Sequence, residues 1–120
     1  MAIDIGKKEI KVSVTFGGNE TVFTCRVPDN QERIAYHGGL LRKGKVDAEH
    51  IYRHQVKSGL SVVTRVRAGD ILFCGKPLVI DADGKKVLEE NAPELLSALG
   101  RAIFEGGAAR IEDEDADYPL

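Results

Sequence analysis

Tryptophan is absent from this 120-residue chain, methionine occurs once, cysteine twice, and aromatic residues make up only 6% of it. A core built from such material rests on Val, Leu and Ile. Interleaved aromatics, the usual platform for stacking unpaired bases, are missing. The two cysteines, Cys25 and Cys74, lie far apart and form no disulfide framework, so both are read as reduced core or strand residues. No run approaches the ~18 apolar residues of a membrane-spanning helix. The opening MAIDIGKKEIKV also lacks the apolar stretch of a secretory leader. A cytoplasmic protein with no membrane segment is expected.

What is present suits one modest globular domain. Hydrophobic residues make up 42% and charged residues 30%, and a chain of this length buries roughly 65% of its unfolded surface. The net charge of −2 conceals an asymmetry, because EDEDAD at 112–117 holds five of the 19 acids. The body to residue 111 is then +3 and the tail −5. Packing that tail would bury repelling charges, so 108–120 is expected to be an acidic, disordered tail behind a single domain at 1–107. It could fold back over basic residues of the body, in a contact that salt would screen.

The pattern along the chain predicts an α+β fold. EIKVSVTF (9–16) and ETVFTCRV (20–27) alternate apolar and polar residues around Gly17-Gly18-Asn19, which tolerate positive φ. This is the signature of an antiparallel hairpin; the glycosylation-like Asn19-Glu20-Thr21 is read as part of its turn. Asp29 followed by Glu32 resembles a capping box for a helix that ends or bends at Gly38-Gly39. Residues 47–67 sort onto two arcs of one long helix capped by Asp47. Ile51, Tyr52, Val56, Leu60, Val62, Val63 and Val66 occupy one arc, and His50, Arg53, His54, Lys57, Ser61, Thr64 and Arg65 the other. The stretch 71–87 is expected to form a second short hairpin, turning at Gly75-Lys76 or Asp83-Gly84. A last helix starts with Asn91 as cap and Pro93 in its first turn, and stops at Gly106-Gly107. Leu95, Leu96, Ala98, Leu99, Ala102 and Ile103 make its buried stripe, with Phe104 on the opposite, exposed side. The hairpin thus packs on about three helices.

No motif assembles a reaction centre. His50 and His54 stand at i, i+4, a spacing zinc can bridge. No third ligand stands at a recognisable distance, and Glu49 precedes the pair instead of following the first histidine. Surface histidines and no metal is the reading adopted. Asp81-Ala82-Asp83-Gly84 begins like a calcium loop, but its glycine comes at the fourth position where the sixth is needed. No G-x-S-x-G turn exists, neither cysteine has a local histidine, and the glycine pairs occupy a turn and a helix end. Neither catalytic residues nor a cofactor are assigned.

Three stretches taken in order resemble the small tail assembly chaperones of long-tailed bacteriophages and prophages. They are VFTCRVPDNQERIAYHG (22–38), VVTRVRAGDILFCGKPLVIDADGKKV (62–87) and ENAPELLSALGRAIFEGG (90–107). The resemblance implies a non-enzymatic protein of the bacterial host cytoplasm that coats the tape-measure protein and recruits tail-tube subunits, with a longer frameshifted product in some relatives. Contacts to such partners, or self-association, are assigned to an exposed Phe104 and to the Arg53, Lys57 and Arg65 face. The alternative is a nucleic-acid module that uses the basic residues from Arg42 to Arg67, with the acidic tail as autoinhibitor. A sequence pI of about 5.9 weighs against it.

Overall fold

The N-terminal hairpin forms as its alternation dictates. In the computed structural model, which describes residues 8–41, 43–106 and the backbone of 110–112, strands β1 (Glu9–Phe16) and β2 (Asn19–Arg26) pair antiparallel from Glu9↔Arg26 to Phe16↔Asn19. Gly17 and Gly18 both take positive φ, the requirement of a tight turn whose twist matches its strands. Val12, Val14, Phe23 and Cys25 share the buried face. An isolated hairpin is marginal in water, and here the helices cover that face.

Helix α1 (Asn30–Gly38) starts at the expected capping box. Asp29 accepts from the Glu32 N–H at 2.8 Å, and Glu32 accepts from the Asp29 N–H at 3.0 Å. Glu32 also takes a two-pronged contact from Arg26 at 2.6 and 2.7 Å, tying the helix start to the end of β2. Helix α2 (Ala48–Val62) is capped by Asp47.

The long helix expected over 47–67 is shorter. It ends at Val62, and the chain passes without a loop into β3 (Val63–Val66), which pairs antiparallel with β2. Val62, Val63, Thr64 and Val66 are β-branched and prefer extended backbone, and the free edge of β2 supplies the hydrogen bonds. A register shift at Thr24/Cys25 is bridged by Thr64 Oγ1, which donates to the Thr24 carbonyl at 2.9 Å.

The second hairpin is also shorter than expected. Strands β4 (Leu72–Phe73) and β5 (Lys76–Pro77) turn at Cys74-Gly75, so the chain never reverses at Asp83-Gly84. Residues 82–91 instead form helix α3 (Ala82–Asn91), with Asp81 accepting from the Gly84 N–H at 2.7 Å. What reads as a turn is a helix cap followed by a glycine. Asn91 therefore closes α3 and does not cap helix α4 (Pro93–Glu105), which has no side-chain cap and ends on left-handed Gly106.

Backbone 110–112 forms β6 (Arg110–Glu112), antiparallel to β1, within the span expected to be a flexible tail. Residues 108–109 and 113–120, the rest of that expectation, lie outside the described residues. The sheet order is β3-β2-β1-β6.

Helix α4 is the hub of the core. Leu95, Leu96, Leu99, Ala102, Ile103 and Phe104 are all buried, alongside Val56 and Val62 of α2 and the inner face of the sheet. Helices α2 and α4 approach until backbones nearly touch: a Cβ on Gly59 would stand 2.0 Å from the Leu96 carbonyl oxygen, and one on Gly100 2.4 Å from that of Gln55. Only hydrogen fits at either crossing point.

Candidate binding cleft

Where β3 ends, the Asp70 side chain takes over the ladder. The Arg67 N–H donates to the Val22 carbonyl at 2.8 Å, and the Val22 N–H donates to Asp70 Oδ2 at 2.8 Å. Arg67 Nε donates to the other carboxylate oxygen at 3.0 Å. Burial alone would raise the Asp70 carboxyl, but the Val22 N–H and the Arg67 guanidinium outweigh it and hold it below its ordinary value. This clamp directs the chain from the sheet edge toward β4.

An apolar cleft of about 280 Å³ opens beside the clamp. The hairpin tip contributes Phe16, the next segment Leu72 and Phe73, and the α3–α4 corner Val87, Leu88 and Leu95. Its floor is core, because Leu88 and Leu95 are buried. Its rim faces solvent: Phe16 is 44% exposed, Leu72 59% and Phe73 43%. Three large apolar side chains around one opening form a clustered patch, unlike the single exposed apolar residues normal on any surface. The volume is near the lower end of the range for ligand pockets, about 300 Å³, and suits one or two side chains.

The residues expected to contact partners are dispersed. Phe104 is not exposed: it is 7% accessible and its ring stacks on Tyr36, with centroids 4.6 Å apart and planes 5° from parallel. The stripe read from the sequence describes one side of α4, but α1 covers the other. Tyr36 in turn donates its hydroxyl to the Glu105 carboxylate. Burial, then that carboxylate, raises the Tyr36 hydroxyl above its ordinary value. Arg53 and Lys57 are exposed on α2, where Arg53 bridges to Glu49 at 2.6 Å. Arg65 belongs to β3, on the sheet face turned from the helices, and meets Glu9 at 3.5 Å. The basic face drawn through all three residues is therefore not continuous.

The two histidines have a structural use. His50 Nε2 donates to the Gly39 carbonyl at 2.7 Å and His54 Nε2 to that of Tyr36 at 2.8 Å. Both satisfy carbonyls left over at the C-terminal end of α1. Among the described residues, no group of three or more His, Cys, Asp and Glu side chains is placed to hold a metal ion. Cys25 is in the core, and burial pushes its thiol up to about 12. Cys74, expected in the core or a strand, instead stands exposed in the β4–β5 turn with φ 52°.

Sequence reasoning passed over the cleft. Leu72 and Phe73 looked like ordinary strand residues, and the corner behind them requires a helix that had been read as a turn. The usable signal was Asp81 with Val87 and Leu88 six and seven positions on, a cap followed by an apolar helical pair. Among the described residues, no helix is long and apolar enough to cross a membrane. No family model, curated protein or solved structure matches this chain.

Proposed function

We propose that this protein is a non-enzymatic assembly chaperone of the phage tail kind, acting in the host cytoplasm by holding an apolar segment of a tape-measure or tail-tube protein. The observation that carries the reading is the cleft rimmed by exposed Phe16, Leu72 and Phe73 over a floor of Leu88 and Leu95. An apolar side chain from a partner would bury the rim and gain about 25 cal/mol for each Å² of apolar surface removed from water. The rim lies on a strand end and a two-residue strand, so it can adjust to different apolar sequences at little cost to the core. A holding protein needs such tolerance, since it must release what it binds.

The test is co-expression with the proteins encoded beside it, expected on this reading to include tape-measure and tail-tube proteins, followed by co-purification. The wild-type chain should retain one of them, and Leu72→Asp with Phe73→Asp should lose it while melting within a few degrees of wild type. No complex with either protein, or equal retention by the variant, would refute the reading.

A further inference from the structure

The apolar cleft is bordered by strand backbone that has nothing to pair with. The Val27 N–H donates to the Lys8 carbonyl at 2.9 Å, which fixes the alternation of the N-terminal hairpin. Odd-numbered residues of β2 bond to β1, and Glu20, Val22 and Thr24 direct their N–H and C=O to the other edge. Thr24 meets β3 there, and Val22 meets Arg67 and the Asp70 carboxylate. Glu20 comes next in that row, and neither of its backbone groups has a partner among the described residues. Asn19 and Thr21 on either side of it line the cleft. The flap repeats the pattern. The Leu78 N–H donates to the Ile71 carbonyl at 2.9 Å, so Ile71 and Phe73 face β5. Leu72 stands opposite Pro77, which has no N–H to give, and directs its own N–H and C=O away from β5. These groups also lack a partner among the described residues, and Leu72 belongs to the rim of the same cleft.

Area and backbone chemistry together decide what form of occupant fits. At about 200 Å² for each large side chain, the exposed parts of Phe16, Leu72 and Phe73 amount to about 300 Å². A stable dimer needs about 800 Å² from each partner, so this patch holds a slender segment and not a second copy of the fold. A helix bonds its own backbone internally and is about 10–12 Å across. Laid over the cleft, it would cover Glu20 and Leu72 and offer their N–H groups no acceptor. An extended segment supplies N–H and C=O groups to strand edges and alternate side chains to the pocket beneath.

We infer that the cleft takes its partner as an added β-strand: an apolar segment of alternating pattern that pairs with the Glu20 and Leu72 backbone and drops side chains onto Leu88 and Leu95. The identity of the partner rests on the chaperone reading; what is added is the conformation in which the segment is held. Backbone pairing ignores side-chain identity, so selection falls on unfolded apolar strands of many sequences. A segment that becomes helical withdraws its N–H groups and is released, which couples release to the folding of the partner.

The experiment uses the full chain, amide NMR and two capped octapeptides of the same leucine–threonine composition. One alternates the two residues and is unconstrained; the other is locked as a helix by a hydrocarbon staple. In the free protein the Glu20 and Leu72 amides should exchange with water at least about ten-fold faster than those of Thr21 and Phe73, which face a strand partner. The alternating peptide should slow both amides by about ten-fold or more and shift the methyl signals of Leu88 and Leu95, and the helical peptide should do neither. Glu20→Pro removes the N–H, while the side chain it replaces stands on the sheet face away from the cleft. It should weaken binding of the alternating peptide about ten-fold, whereas Glu20→Ala should bind as wild type. The exchange measurement needs no variant and decides the matter if Glu20→Pro does not fold. Unchanged exchange at both amides in the complex, tighter binding of the helical peptide, or no binding of either would overturn the inference. A strand-bound peptide with no tail protein co-purified refutes the chaperone reading alone. A tail protein retained by a chain that shows none of these peptide effects refutes only the strand mode.

Discussion

The α2–α4 seam and the β4–β5 flap use apolar residues to opposite ends. Along the seam, Gly59 and Gly100 let two helix backbones meet, Ser97 donates to Gln55 across it at 3.1 Å, and Leu96 and Leu99 are fully buried. The flap consists of two strands of two residues each, a turn with Cys74 at positive φ, and Leu72 and Phe73 largely in water. Residues of the same chemical type thus stabilise the fold in one region and stand in water in the other. The buried seam and the proposed binding surface lie in separate regions, so variants should separate stability from binding as well.

The largest stability loss is expected at the edge of the seam. Phe104→Ala removes a buried ring stacked on Tyr36 and should cost about 3–5 kcal/mol in urea unfolding. A loss below about 1 kcal/mol would mean the stacked pair contributes little and would blur the contrast between regions. Gly59→Ala comes next. The added methyl meets the Leu96 carbonyl and should cost about 1–3 kcal/mol, overriding the roughly 1 kcal/mol that alanine normally gains over glycine in a helix. A more stable variant would show that the helices separate easily.

A smaller effect belongs to the junction of β2 and α1. The Arg26 guanidinium, then the Asp29 N–H, lower the Glu32 carboxyl to about 2 from an ordinary 4.5. Because the folded value is depressed, the contribution is complete above pH 4.5 and fades as pH falls from 4.5 toward about 2. The pair is partly open to solvent, with side chains 42% and 30% exposed, so Glu32→Gln should cost only about 1 kcal/mol at neutral pH. The gap from wild type should close in acid; a constant gap from pH 7 to 2 would contradict the pairing. The smallest expected change is Leu72→Asp on the flap, within about 0.5 kcal/mol. A cost above about 2 kcal/mol would make the flap part of the core and remove the contrast.

Legibility in the sequence followed how local each determinant is. The hairpin, the Asp29–Glu32 box, the Asp47 cap and the glycine stop at 106 each depend on neighbours a few positions apart, and each stands as read, with Asn19 joining β2 and leaving Gly17-Gly18 as the turn. The α2–β3 junction was hidden because Val62, Val63 and Val66 suit a helical arc as well as an extended edge. The free hydrogen bonds of β2, some 40 residues away, decide between them. Helix α3 was hidden because Asp-x-x-Gly serves equally as a turn and as a cap. Its glycine is also a matter of contact, since a Cβ there would meet the Val79 carbonyl at 1.8 Å. Phe104 was misplaced because one helical stripe reveals one buried side, whereas α4 is enclosed on several. The cleft was invisible for the same reason, being made of pieces from three distant parts of the chain.

The amino-acid order by itself determined the α+β character, the hairpin, and the caps of the first two helices, because short-range hydrogen bonds and side-chain alternation need no distant partner. Tertiary structure alone decided where the long helix yields to a strand, that Phe104 is shielded while Phe73 is not, and that His50 and His54 hold a helix end. Each of those outcomes depends on which surfaces other segments cover. Burial belongs to the assembled chain, and no residue carries it alone.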